Sequence, residues 1–255
     1  MSLLLRKSPE VVSADNMSDL HIHESMTMSQ AHILVDDIEK PELSEEKQHH
    51  LTKVRRIKTG TKVTATDGKG AWSIFRFIGQ SLENIDAVHY SEKREPALTV
   101  AISLTKSGKL DLTVQKLTEI GIDELILFAS ENSVPIWDES KQSKNEQRLN
   151  RIIQSALEQS KGIWLPKLSF LSSFNDVAQI SGMAMADYNG DRITSSCKCL
   201  AIGPEGGWSP AEDSLKLPKI SLSQQVLRSE TAAIVGASLM SAYRDIKKDL
   251  ESYRS

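Results

Sequence analysis

The sequence predicts an α/β protein: a mainly parallel sheet flanked by helices over residues 96–255, preceded by a small β-rich domain over residues 31–95. Three observations carry that expectation. After Pro96, short apolar runs alternate with stretches of helical periodicity, the pattern of strand–helix units and a parallel sheet. Before it, alternating apolar residues bracket an Asp67-Gly68 dipeptide, a hairpin signal. The length of 255 residues suits one large domain or two modest ones. Residues 1–30 are polar and without periodicity, and are expected to be a disordered leader or the product of an upstream start codon ahead of the domain.

The elements follow in order. His32, Ile33, Leu34 and Val35 read as the first strand. Pro41 and Ser44 then open a short helix, with Ser44 as N-cap; its spacing continues through Leu51 and Val54 until Thr59-Gly60. Residues 62–66 and 71–77 are the arms of the hairpin. Glu95-Pro96 marks the domain boundary, because the residue before proline is driven to an extended conformation. Residues 98–104 form a buried strand. Leu110, Val114 and Leu117 lie at helical spacing, and Gly121 stands where that helix would stop. Residues 125–129 make the next strand, and a helix is expected over 145–160. Residues 183–186, 200–202 and 220–223 are short strands. A last helix is expected over 230–245, with Ser229 as its N-cap.

Composition narrows the function classes. The formal charge is −3, from 31 basic and 34 acidic side chains. That balance hides an asymmetry, because residues 1–46 carry −7 and the rest +4. Residues 47–62 hold six basic side chains, two histidines and no acid. Phosphate attraction works through local charge, so this stripe keeps nucleic acid open, although a solvated face is the plainer reading of the same composition. No apolar run approaches the roughly 20 residues of a membrane-spanning helix, so no membrane role is expected. Two cysteines cannot build a disulfide framework, which points to a reducing cytoplasm. Cys197 and Cys199 lack the companions of a metal site, so no metal is expected and both read as strand residues.

Two turns stand out. Gly203, Pro204, Glu205, Gly206, Gly207, Trp208 and Ser209 follow a buried strand and precede a helix whose start is marked by Ser209, Pro210 and Glu212. Loops at the carboxyl ends of parallel strands are where α/β sheets take ligands, and glycines let backbone N–H groups come close. A plain strand-to-helix turn satisfies the same residues. The second turn is Val226, Leu227, Arg228, Ser229, Glu230, Thr231, Ala232 and Ala233, entering a helix with a face of small residues.

These two turns together resemble the signature of the RsmE family, 16S ribosomal RNA (uracil-N3)-methyltransferases of the SPOUT class. Upstream, residues 109–121, with Gln115, Lys116, Glu119 and Gly121, are similar to that family's Q-K-x-x-E-x-G helix. Glu158-Gln159-Ser160 before Pro166, the basic run 49–56, and Asp67-Gly68-Lys69-Gly70 also match. The resemblance covers roughly residues 31–245.

The resemblance implies a PUA-like β-barrel domain for RNA and a C-terminal SPOUT domain whose sheet carries a trefoil knot. It implies S-adenosyl-L-methionine as cofactor and a homodimer. The substrate it implies is one uridine of 16S rRNA, in free rRNA or in the assembled small ribosomal subunit. Carried over by motif position, Ile202, Gly203, Glu205, Gly206, Gly207, Leu222, Ser223, Leu227 and Thr231 would bind the cofactor. Arg228 would stabilise charge developing on the uracil, and Glu230 would fix that arginine or accept a proton. Lys53, Arg55, Arg56 and Lys58 would contact RNA phosphates. The chain departs from the pattern at Lys161-Gly162, where glycine-arginine is usual, at Trp164, and at Gln224-Gln225. Two other readings use the same fold: an RNA-binding or ribosome-assembly protein, and a methyltransferase acting on another RNA nucleotide.

Overall fold

A computed structural model describes residues 29–135 and 137–252. The leader expected over residues 1–30 lies outside these but for Ser29 and Gln30. The chain divides into two compact units between Glu92 and Lys93, three residues ahead of the boundary expected at Glu95-Pro96.

The first unit is a five-stranded sheet of β1 (His32–Leu34), β2 (Lys62–Thr66), β3 (Ala71–Phe77), β4 (Leu82–Asn84) and β5 (His89–Tyr90), in the order β1-β2-β3-β4, with β5 also on β3. β2 and β3 form the expected antiparallel hairpin, with Thr66 opposite Trp72. The Asp67 carboxylate closes the turn by accepting from Lys69 N at 2.7 Å and Ala71 N at 3.1 Å. Val63, Ala65 and Phe75 are fully buried in its core. Helix α1 (Glu45–His49) starts where Ser44 Oγ accepts from Lys47 N, then widens into a π-helical turn over His50–Val54. It stops at Arg55, short of Thr59-Gly60, because Arg56 takes a left-handed conformation with φ 52°.

The second unit is a six-stranded, wholly parallel sheet. Its strands are β6 (Thr99–Ser103), β7 (Glu124–Phe128), β8 (Lys167–Leu171), β9 (Met183–Arg192), β10 (Cys199–Ile202) and β11 (Lys219–Ser221), in the order β11-β9-β10-β6-β7-β8. Helices α2 (Ser107–Ile120), α3 (Glu139–Ser160), α4 (Phe174–Ala178), α5 (Pro210–Asp213) and α6 (Ser229–Ser252) complete it. Successive strand residues point to opposite faces, and both faces are covered. Val100, Ile102, Leu125, Leu127, Leu200 and Ile202 pack under α2, α3 and α6. Ala101, Ile126, Phe128, Met185 and Ala201 pack against Phe174, Val177 and Trp208. Each large side chain so buried contributes roughly 1.5–3 kcal/mol, which is why the strands read as continuous apolar runs.

Several boundaries differ from expectation. Helix α3 begins at Glu139, capped by Asp138, because its first ten residues are solvated and only Leu149 onward shows apolar spacing. Strand β8 and helix α4 have no sequence counterpart; β8 is an edge strand and only half-buried. β9 runs on to Arg192, since its polar second half is paired only by β11, with a register shift between Lys219 and Ile220. Cys197 lies before β10 rather than within it, and burial pushes its thiol up to about 11.

Gly190 permits that last pairing. A Cβ there would lie 2.4 Å from the Lys219 carbonyl carbon and 2.5 Å from Ile220 N, both backbone atoms. Gly190→Ala should therefore cost about 1–3 kcal/mol through overpacking. Urea denaturation checks this: a midpoint equal to wild type would mean that β11 shifts without cost.

Candidate active site

Strand order places the site. The chain builds outward from β6 to β7 and β8, crosses to β9, then inserts β10 between β9 and β6. The order reverses where β6 meets β10, the kind of switch point at which parallel sheets open a crevice beyond their carboxyl ends. The 203–209 loop leaves β10 at that point.

The loop is held from several sides. Ser209 and Glu212 form the expected capping box, with Ser209 Oγ accepting from Glu212 N at 3.1 Å and Glu212 Oε2 accepting from Ser209 N at 2.9 Å. The second Glu212 oxygen accepts from Glu131 N, and Asn132 Nδ2 donates to the Gly207 carbonyl at 3.0 Å. Trp208 donates its indole N–H to the Ala186 carbonyl and lies 4.4 Å, centroid to centroid, from Phe174. A Cβ on Gly203 would press on the Trp208 ring at 3.0 Å, and one on Gly206 would press on Asn132 at 3.1 Å. Gly207 has φ 74°, open to glycine at no steric cost.

The second turn meets this loop directly. Ser229 Oγ donates to the Gly203 carbonyl at 2.9 Å. Ser229 is thus not the N-cap: the first bond of α6 runs from Ala232 N to the Arg228 carbonyl, which puts Arg228 at the cap position. The freed hydroxyl instead ties two segments that lie 26 residues apart.

Between the turns lies a cleft of about 800 Å³. Ile202, Gly203, Glu205 and Gly207 line it from the loop, and Leu227 and Arg228 from the second turn. A smaller hollow of about 110 Å³ is lined by Leu222, Ser223 and Leu227. Asp187 and Tyr188 of β9 border both. Of the expected cofactor residues, Gly206 and Thr231 line neither: Gly206 turns to Asn132, and Thr231 is exposed on α6. Asp187, Tyr188 and Lys219 join the lining without being singled out by the sequence, and Trp208 of the first turn joins it without having been assigned to the cofactor. The apolar run 183–186 announces the start of β9, but only Gly190, a glycine within a strand, marks its polar half.

Charge is concentrated at two places. Lys109 Nζ, from the first turn of α2, lies 2.8 Å from Glu205 Oε1 and 3.7 Å from Glu230 Oε2. The hydrogen bond between Lys109 and Glu205 raises the lysine's pKa and lowers the glutamate's. The expectation that Glu230 fixes Arg228 is not met: its carboxylate faces Lys109 instead, and among the described residues no Arg228–Glu230 ion pair is present. On the other side, Lys219 joins Asp213 at 2.5 Å and Asp187 at 3.3 Å, and these bonds raise its pKa. Of the departures, Lys161 caps α3 in a left-handed conformation, and Trp164 is half-buried with Lys93 Nζ 6.0 Å over its ring. In the first unit, Lys53, Arg55, Arg56 and Lys58 are all exposed. Among the described residues no helix is long and apolar enough to cross a membrane, and no cluster could hold a metal ion.

Residues 92–241, more than half of the chain, match the RNA methyltransferase domain family. The chain belongs to that family. The RNA methyltransferase PUA domain matches residues 43–77 of the first unit. Among relatives of this RNA methyltransferase, ribosomal RNA small subunit methyltransferase E 2 of Borreliella burgdorferi is 29% identical over 217 residues, covering 76% of this chain and 87% of the relative. Ribosomal RNA small subunit methyltransferase E of Bacillus subtilis is 26% identical, covering 77% and 87%. The fold matches a methyltransferase of Legionella pneumophila solved with its cofactor SAM, at a TM-score of 0.73 and 23% identity, covering 83% of this chain and 96% of that one. It also matches ribosomal RNA small subunit methyltransferase E of Neisseria gonorrhoeae, solved with S-adenosyl methionine, at 0.71 and 20%, covering 83% and 97%.

Proposed function

We propose that the chain transfers the methyl group of S-adenosyl-L-methionine to N3 of a uridine in 16S rRNA, acting in the cytoplasm as a homodimer on rRNA or the small ribosomal subunit. The observation that carries the reading is the shared cleft: two turns distant in sequence are joined by the Ser229–Gly203 hydrogen bond and wall one cavity. Its volume falls within the roughly 300–1,000 Å³ of small-molecule sites, and its lining mixes apolar Ile202 and Leu227 with charged Glu205, Asp187 and Arg228. That mixture fits a nucleoside carrying a charged amino-acid tail. The trefoil knot belongs to the same reading, and the insertion of β10 between β9 and β6 beneath the start of α6 supports it.

Bound cofactor supplies an electrophilic methyl carbon on a sulfonium. Ile202, Leu222 and Leu227 would hold the cofactor through apolar contact, and backbone groups of Gly203 and Gly207 would offer it hydrogen bonds. Arg228, exposed on the cleft wall, orients the uracil carbonyls and stabilises the negative charge left as the N3 proton departs. Glu230 accepts that proton. The cofactor would supply its methyl carbon to the N3 electron pair, and its sulfur would keep the C–S bonding pair. Alignment of donor and acceptor is the main task of the site.

Calorimetric binding of S-adenosyl-L-methionine and mapping of methylated bases in rRNA from a deletion strain test the reading. Loss of one N3-methyluridine is expected. No cofactor binding would indicate an RNA-binding protein, and loss of a different modification would indicate another target nucleotide.

RNA capture is assigned to the exposed stripe. Replacing Lys53, Arg55, Arg56 and Lys58 together with alanine should weaken RNA binding uniformly across sequences. The slope of log K against log salt should flatten by about 0.7–0.9 for each phosphate no longer neutralised. An unchanged slope would return the stripe to the status of a solvated face.

A further inference from the structure

We propose that Lys109 is a positioning residue for methyl transfer: its ammonium bridges Glu205, which lines the cleft, and Glu230, which does not, tying the cofactor loop to the start of α6 and fixing the Glu230 carboxylate at that join. The inference rests on the function proposed above, in which Glu230 takes the uracil proton. Three elements converge on this one cation. Lys109 lies in the first turn of α2, Glu205 in the loop after β10, and Glu230 in the first turn of α6. Below it, α2 and α6 pack through Leu110, Val114, Ala233 and Ala237, so Lys109 stands at one end of their apolar seam.

The state of Glu230 makes the cation necessary. Its side chain is 15% exposed, and its buried Oε2 has no hydrogen-bond partner. A carboxylate so desolvated is costly unless a counter-charge is near. Lys109 is the cation within 4 Å of it among the described residues, with Arg228 two residues earlier and Glu205 beyond the shared ammonium as the other charges around it. Without Lys109, two carboxylates would confront each other across the join between the cofactor loop and the catalytic helix. Repulsion would swing Glu230 away from the uracil, and a displacement of about 1 Å can cost 100-fold in rate.

The test compares Lys109→Met, Lys109→Arg, Glu230→Gln and the Lys109→Met/Glu230→Gln double variant in the full chain, with small-subunit RNA as substrate. Lys109→Met should lower kcat by about 10- to 100-fold. KM for RNA and the calorimetric Kd for S-adenosyl-L-methionine should each stay within about 3-fold, because the uniform binding interactions remain. Lys109→Arg should restore most of the rate, since a guanidinium can fork two carboxylates. In the Glu230→Gln background, Lys109→Met should cost less than about 3-fold, as expected of coupled residues. The assignment is overturned if Lys109→Met retains kcat, or if the two single losses multiply in the double variant. Those results, obtained with an active wild type, leave the methyltransferase reading standing. A wild type that neither binds the cofactor nor methylates N3 removes that reading and this assignment together.

Discussion

Replacing Arg228 with alanine should reduce the rate of methyl transfer by about 10²- to 10³-fold, the usual loss when a fixed donor to developing charge is removed. Arg228 is exposed on the cleft wall and has no ion-pair partner within 4 Å among the described residues, so its guanidinium is available to the substrate. Uracil carries little charge in the ground state and gains it as the N3 proton leaves. The missing interaction should therefore fall on kcat, while cofactor affinity changes only a few-fold. Single-turnover methylation with labelled cofactor, alongside calorimetry, separates the two. Wild-type turnover in Arg228→Ala would end the claim that this arginine assists the chemistry.

Asp123→Ala should destabilise the fold by about 3–5 kcal/mol, the cost of leaving a buried charge without its partner. Arg244, near the middle of α6, is 1% exposed, and its guanidinium donates to Asp123 Oδ2 at 2.6 Å and to the Gly121 carbonyl at 2.9 Å. The same carboxylate oxygen accepts from Leu98 N at 2.9 Å, just ahead of β6. Removing Asp123 strands a buried cation and a backbone donor together. Urea unfolding should show a lower midpoint at an unchanged slope. Adding Arg244→Met should recover part of the stability, because a buried pair replaced on both sides by apolar groups is often neutral. A loss below about 1 kcal/mol for Asp123→Ala would show that water reaches and solvates the stranded guanidinium.

Much of the fold is legible in the sequence because its signals are local. The hairpin across Asp67, the stop of α2 at Gly121 and the capping box of Ser209 and Glu212 each depend on residues within a few positions of one another. Elements whose support comes from elsewhere are not legible. The solvated first half of α3, the edge strand β8 and the polar end of β9 lack apolar periodicity, and neighbours distant in sequence stabilise them. Ser229 shows the difference at a single residue. Its type and place say N-cap, yet the Gly203 carbonyl, 26 residues away, offers its hydroxyl a partner that α6 does not.

The candidate site divides in the same way. Residue type and spacing over short distances are enough to pick out the segments to which the function is assigned: the two turns, the basic stripe and the parallel-sheet unit that presents the turns. Other features exist only in the folded chain. Gly206 and Thr231 stay off the cleft wall, Asp187 and Tyr188 border it, and Glu230 faces Lys109 rather than Arg228. Those outcomes depend on strand order and on which helix ends meet. Both are set by long-range packing, in which a side chain's partner is fixed by the whole core and not by its neighbours in the chain.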